Sequence, residues 1–234
     1  MLRAVFFDVG NTLIHPHPSV SEVCRQVLEE AGHVRDVAAI DELMPVVDAY
    51  YEDRYREDDT FWRSEEETSS VWVGMYSVLC RRLGIEDEAE ALAHRVYDEF
   101  GRADRWRAYD DVVPAFERLR ARGLKTGLIS NWDSRLSALV DGMGLGIMLD
   151  AVISSAEVGL HKPDPRIFEL ACERVGVAPA EAVHVGDHPY ADVLGATTAG
   201  MAAVLVDRWG FREPQECAIC DFTELDERLG LGGT

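Results

Sequence analysis

Short, uninterrupted apolar runs recur along the chain at 4–7, 126–129, 151–153, 182–185 and 202–206. None alternates with polar residues, which is how strands covered on both faces read. Between the last four runs lie stretches with apolar residues at helical spacing, 134–143, 165–175 and 191–199. Gly176 and Gly200 stand where helix C-terminal glycines belong. This alternation predicts an α/β fold, a Rossmann-like parallel sheet with helices on both faces.

The first two runs are separated by more than a hundred residues without a strand signal. Helices are expected there over 20–31, 37–56, 68–83 and 89–101. A further helix over 112–122, with Pro114 in its first turn, leads into the second strand. Residues 1–15 and 108–234 are therefore expected to form an α/β core domain, and 16–107 an inserted α-helical domain.

Composition narrows the function. Of 234 residues, 47% are hydrophobic and 28% charged, enough for a packed core. Forty-three acidic residues against 23 basic ones give a net charge of −20. No Lys/Arg cluster offers a face to a phosphate backbone, so nucleic acid is not an expected partner. An anionic substrate needs a cation gathered at its site. The insertion alone carries 22 Asp/Glu and 11 Arg, which disfavours polyanions. No apolar run reaches the roughly 18–20 residues of a membrane span. The opening residues, with Arg3 and an apolar run cut by Asp8, do not read as a leader, so a cytoplasmic protein is expected. Its oligomeric state is left open between monomer and homodimer. The five cysteines are scattered, and Cys217 and Cys220 have metal-like spacing but no second pair, so reduced thiols are expected.

Ligands of open parallel sheets bind outside the carboxyl ends of the strands. Each run here delivers a polar group to that edge. The first ends in Asp8, Gly10, Asn11 and Thr12, the second in Ser130 and Asn131. His161 and Lys162 follow the third, and Asp187, His188 and Asp192 follow the fourth. Lys162 is one of two lysines in a chain with 21 arginines, as expected where a compact ammonium is needed. A single Asp after a strand is commonly a cap or turn residue. Four such groups in order form a constellation.

The segments FFDVGNTL (6–13), LISN (128–131), HKPDPRIF (161–168) and VGDHPYADVLGA (185–196) resemble the haloacid dehalogenase (HAD) superfamily, mostly phosphatases. The resemblance covers the sheet domain, and the insertion lies where that family places its C1 cap. It implies a Mg²⁺-dependent hydrolase acting on a small phosphorylated metabolite. Asp8 would attack phosphorus and form an aspartyl-phosphate. Asp8, the Gly10 backbone carbonyl and Asp187 would hold Mg²⁺, with Asp192 in an outer position. Ser130 and Lys162 would bind the phosphoryl group, and Thr12 would brace the loop. Asn131 counts with the substrate-binding residues. Trp62 and Arg63, in an expected inter-helix turn of the cap, are candidates to stack on the substrate and pair with an anion, against ordinary packing and a surface ion pair.

The chain departs from the family at Gly10, where the usual motif carries a second Asp as general acid/base. Such a group contributes about 10²–10⁴-fold in rate. Asn11 tolerates a left-handed backbone, so the loop can keep its shape. Three readings follow. The first is a phosphatase whose acid/base comes from water or from His15, His17 or His188, or whose leaving group is good, such as an acyl or aryl phosphate. The second is a metal-independent haloacid dehalogenase, against which Asp187 and Asp192 form an intact metal pair. The third is a catalytically silent member that binds a phosphate or a partner.

Overall fold

The computed structural model describes residues 1–210 and 218–231. Six parallel strands form its main sheet: β1 (Ala4–Phe7), β4 (Lys125–Ser130), β5 (Ala151–Ser154), β6 (Ala182–Gly186), β7 (Ala202–Val206) and β8 (Ala218–Ile219). Their order is β5-β4-β1-β6-β7-β8. The order reverses at β1, so the crevice for a ligand opens at its carboxyl end. The five expected strands are present. The two-residue β8 is an addition, too short to show a periodicity.

Alternate residues of β1 face opposite ways. Val5 and Phe7 are buried in a core with α6 (Val112–Ala121), α7 (Leu136–Gly142) and α11 (Leu225–Arg228). Ala4 and Phe6 pack with α9 (Pro165–Val175) and α10 (Gly195–Thr198). Each core removes a full row of aliphatic and aromatic side chains from water, worth roughly 1.5–3 kcal/mol per large residue. Gly176 and Gly200 close their helices at φ 71° and 83°, as expected.

The chain leaves the sheet through β2 (Ile14–Pro16) and returns through β3 (Trp106–Ala108), an antiparallel pair the sequence did not announce. Between them lie α1 (Val20–Glu30), α2 (Val37–Asp41), α3 (Met44–Glu57), α4 (Glu65–Arg82) and α5 (Ala89–Glu99). These helices bury a core of their own, including Val23, Ile40, Val47, Leu79, Leu92 and Val96. The single helix expected over 37–56 is broken into α2 and α3. Pro45 explains the break: it lacks an N–H and its ring clashes inside a helix, so it sits in the first turn of α3. Ser64 caps α4, accepting from the Glu67 N–H at 3.2 Å, which starts that helix three residues before the expected 68.

The helix expected over 191–199 is also divided. Pro189–Leu194 form a wider, π-type turn that runs into α10. Asp192 lies in it, 1% exposed. Gly186 makes room for that carboxylate, because a Cβ at position 186 would stand 2.2 Å from Asp192 Cγ. Cys24, Cys80 and Cys172 are buried free thiols and Cys220 is exposed. Cys217 lies outside the described residues, and with it the spacing pair it forms with Cys220. Among the described residues no helix is long and apolar enough to cross a membrane.

Candidate active site

Register brings the strand-end groups together. Phe7 is level with Leu128 on one side and Val185 on the other. Asp8 therefore emerges between the end of β4, which carries Ser130, and the end of β6, which is followed by Asp187. The Asp8 N–H donates to the Val185 carbonyl at 2.9 Å, which fixes the exit. The chain then turns tightly. Asn11 takes φ 55° and donates its N–H to the Ile14 carbonyl, while Gly10 bridges to Ile14. The left-handed residue that the loop needs is thus Asn11.

Four side chains converge on Asp8. Lys162 Nζ donates to Asp8 Oδ1 at 2.6 Å and Ser130 Oγ to the same oxygen at 2.9 Å. Thr12 Oγ1 donates to Oδ2 at 3.3 Å. Asp187 is the fourth: Asp8, Asp187 and Asp192 each offer a carboxylate oxygen, all within 4.8 Å of one another. Lys162 Nζ also donates to Asp192 Oδ1 at 2.5 Å. Asp192 is further held by His184 Nε2 at 2.8 Å and by the His188 N–H at 2.9 Å.

The electrostatics follow. Burial would lower the Lys162 ammonium, but Asp192 and Asp8 outweigh it and hold the pKa above its usual value. Burial would raise Asp192, but Lys162 and His184 hold it far below the ordinary carboxylate range. Asp187 is pushed up to about 7, first by burial and then by the charges of Asp8 and Asp192. One ammonium does not balance three carboxylates. Hard, anionic oxygens so crowded are a donor set suited to Mg²⁺, which would relieve the repulsion that holds Asp187's proton.

The remaining expected residues are placed as follows. Asn131 commits its amide to the peptide of Lys162: Nδ2 donates to the Lys162 carbonyl at 3.0 Å and Oδ1 accepts its N–H at 2.7 Å. It thus aims the lysine. Thr12 is fully buried behind Asp8, the bracing position. Trp62 is 6% exposed and packs with Phe61 and Val71. It also lines a cavity between the helices and the strand ends. Arg63 Nε donates to His161 Nδ1 at 3.0 Å. The anion pairing expected of Arg63 therefore competes with an imidazole, whose Nε2 lies 3.2 Å from Asp59 Oδ1.

Several residues that shape the site were not singled out from sequence. His184 sits in β6 at 0% exposure, and a histidine inside an apolar run was the available signal. Arg208 clamps the loop after Asp8, donating to the Thr12 carbonyl from Nε at 3.1 Å and Nη2 at 2.8 Å. Trp132 lies against Gly10, where a Cβ would stand 3.3 Å from its ring. Buried Asp133 pairs with the half-buried Arg135 at 2.6 Å beside Tyr97 of α5.

With this geometry in view the comparison with known proteins is decisive. The haloacid dehalogenase-like hydrolase family model matches residues 2–200. This chain belongs to that family. It is 31% identical to the haloacid dehalogenase-like hydrolase domain-containing protein 3 of Danio rerio, over 97% of this chain and 96% of the relative. It is 30% identical to the glyceraldehyde 3-phosphate phosphatase of Methanopyrus kandleri (91% and 87% covered). It is 27% identical to the (S)-2-haloacid dehalogenase 4A of Burkholderia cepacia (89% and 84%). Among solved structures, a HAD phosphatase from Thermococcus onnurineus superposes with a TM-score of 0.66 at 28% identity, covering 98% of each chain. The HAD-like chain is therefore a hydrolase, and its relatives include both phosphatases and a dehalogenase.

Proposed function

We propose that this HAD-like hydrolase is a Mg²⁺-dependent phosphatase that cleaves small phosphomonoesters through an aspartyl-phosphate on Asp8, in the cytoplasm, with residues 16–107 serving as its cap domain. The observation that carries this reading is the gathering of Asp187 and Asp192 beside the Asp8–Lys162 pair. A metal-independent dehalogenase has no need of that carboxylate cluster.

Asp8, the Gly10 carbonyl and Asp187 would hold Mg²⁺, with Asp192 behind them, and the ion would supply the positive charge that lets a carboxylate approach a phosphate. The chain's own residues do the rest. Asp8 attacks phosphorus, the ester P–O bond breaks, and the leaving oxygen takes its proton from water. Lys162 and Ser130, already on Asp8 Oδ1, are placed to donate to phosphoryl oxygens as charge moves outward. Asn131 keeps Lys162 aimed, and Thr12 with Arg208 keeps the loop from moving. Water then attacks the acyl-phosphate at phosphorus, releasing phosphate and restoring the Asp8 carboxylate.

The test is release of phosphate from p-nitrophenyl phosphate with and without Mg²⁺. Turnover should need the ion, vanish with chelator and fall to below about a thousandth in Asp8→Asn. Halide release from a 2-haloacid without metal would instead establish the dehalogenase.

A further inference from the structure

Resting on the phosphatase reading, we infer that the substrate is an aryl phosphate: a monophosphate ester of a phenolic compound with more than one ring, whose ring system fills the cavity beside Gly10. Three independent features of the chain lead there.

The first is the cavity itself. It has a volume of about 380 Å³ and lies between the helices and the strand ends, bordered by Gly10 and Asn131. Tyr51, Trp62, Trp72, Tyr76, Phe100 and Trp132 wall it. A space of this size, walled mostly by aromatic rings, takes up an apolar, planar group better than a polyol or amino acid, whose hydration only the few polar side chains of the lining, among them Asn11, Asp48, Asn131 and Asp133, could replace. Gly10 stands two residues after Asp8 and Asn131 next to Ser130, so the cavity adjoins these loops, and the alcohol part of the substrate would extend into it.

The second is Trp132. Its ring occupies the space into which a side chain at position 10 would grow, with 3.3 Å left for a Cβ. The indole is backed by Trp106 at 5.1 Å between ring centres, and the backbone is fixed too: the Trp132 main-chain N–H donates to Ser155 Oγ and its carbonyl accepts from Ser154 Oγ. The leaving oxygen thus meets an indole where the usual acid would stand. A phenolic oxygen, with a pKa of about 10, departs as an anion. An oxygen as basic as hydroxide, with water near 15.7, needs a proton first.

The third is charge. Among the described residues lining the cavity, Arg135 is the one cation. Its Nε and Nη2 are bound to Asp133 and its Nη1 to the Tyr97 carbonyl. Asp48 stands at the wall with its carboxyl pushed up by burial and Glu52. The ring system therefore carries no second anion.

The experiment compares kcat/KM for 2-naphthyl phosphate, phenyl phosphate, acetyl phosphate and glycerol phosphate with Mg²⁺. Naphthol and phenol are leaving groups of closely similar basicity, so their comparison reads ring fit alone. Acetyl phosphate has a good leaving group and no ring. We expect naphthyl to exceed phenyl at least tenfold and glycerol phosphate at least a thousandfold. Free 2-naphthol should compete with acetyl phosphate. In Met75→Trp, which fills the cavity, the naphthyl-to-acetyl ratio should fall at least tenfold. Hydrolysis of acetyl phosphate with naphthyl no better than phenyl, or no competition by naphthol in the wild-type protein, overturns the substrate assignment and leaves the phosphatase standing. No turnover of any of the four overturns the phosphatase reading and this inference with it.

Discussion

Lys162 Nζ lies 2.6 Å from Asp8 Oδ1, and the two side chains are 3% and 10% exposed. The ammonium is shared with Asp192, so one buried cation holds two buried anions. Removing one partner of such a group leaves uncompensated charge and costs about 3–5 kcal/mol. Lys162→Met should therefore abolish turnover and also lower the free energy of unfolding by that order, which brings the denaturation midpoint down. Lys162→Arg should rescue neither, because a planar fork cannot take the place of a point charge between two carboxylates. Denaturant unfolding without metal checks the stability claim. A midpoint unchanged in Lys162→Met would show that the ammonium does not neutralise this pocket.

Asp187 gives a pH dependence with a definite sign. Its folded pKa of about 7 lies above the ordinary 3.8. Between those values the folded state holds a proton that the unfolded state has lost. The stability this contributes is present at low pH and is lost as pH rises through about 7. On the proposed reading Mg²⁺ would bind the ionised form and would have to displace that proton below pH 7. Apparent Mg²⁺ affinity should weaken about fivefold from pH 7 to pH 6 and be nearly flat above pH 8. The rise in melting temperature on adding Mg²⁺ should grow correspondingly between pH 5.5 and 8. Calorimetric titration across this range measures it, with Asp187→Asn expected to bind weakly at every pH. An affinity constant to within twofold from pH 6 to 8 contradicts the assignment.

Much of this site was legible because its chemistry is written in consecutive residues at the strand ends. Asp8, Ser130, Lys162, Asp187 and Asp192 each close an apolar run or lie in the loop after one, and the parallel register does the rest. What was not legible arises from contacts between distant segments. Trp132 against Gly10, His161 against Arg63 and Arg208 on the Thr12 carbonyl have no local periodicity to announce them. The same holds for elements: β2, β3 and β8 are two or three residues long. Pro45 was a readable signal that the helix over 37–56 would break, since its effect is local.

The Arg63–His161 hydrogen bond joins the segment between α3 and α4 to the residue preceding Lys162. Arginine has no acceptor, so His161 Nδ1 accepts and Nε2–H faces Asp59. The tie thus links the helical layer to the residue next to Lys162, which holds Asp8. Arg63 itself is exposed, so the bond is worth on the order of 1 kcal/mol. Arg63→Ala should lower kcat/KM by roughly fivefold, with little change in melting temperature, and His161→Ala should do at least as much. The double variant should be no worse than His161→Ala alone, because both remove the same link. Additive losses in a double-mutant cycle on kcat/KM would show that the two residues act separately.

Gly10 and Trp132 set the last expectation. An Asp at position 10 is the direct way to supply the missing proton donor, and such a group is worth about 10²–10⁴-fold where the leaving oxygen is basic. Yet the Cβ would stand 3.3 Å from the Trp132 ring, and the carboxyl beyond it would have to displace the indole. Gly10→Asp alone should therefore raise turnover of glycerol phosphate only modestly. Gly10→Asp with Trp132→Ala, which clears the space, should raise it by at least tenfold more. Aryl phosphate turnover should rise in neither, because a phenolate leaves without the proton and Trp132→Ala also removes a wall of its cavity. Measuring kcat on both substrates in the three proteins separates acid catalysis from ring binding. Equal changes on the two substrates would show that position 10 does not govern protonation of the leaving group.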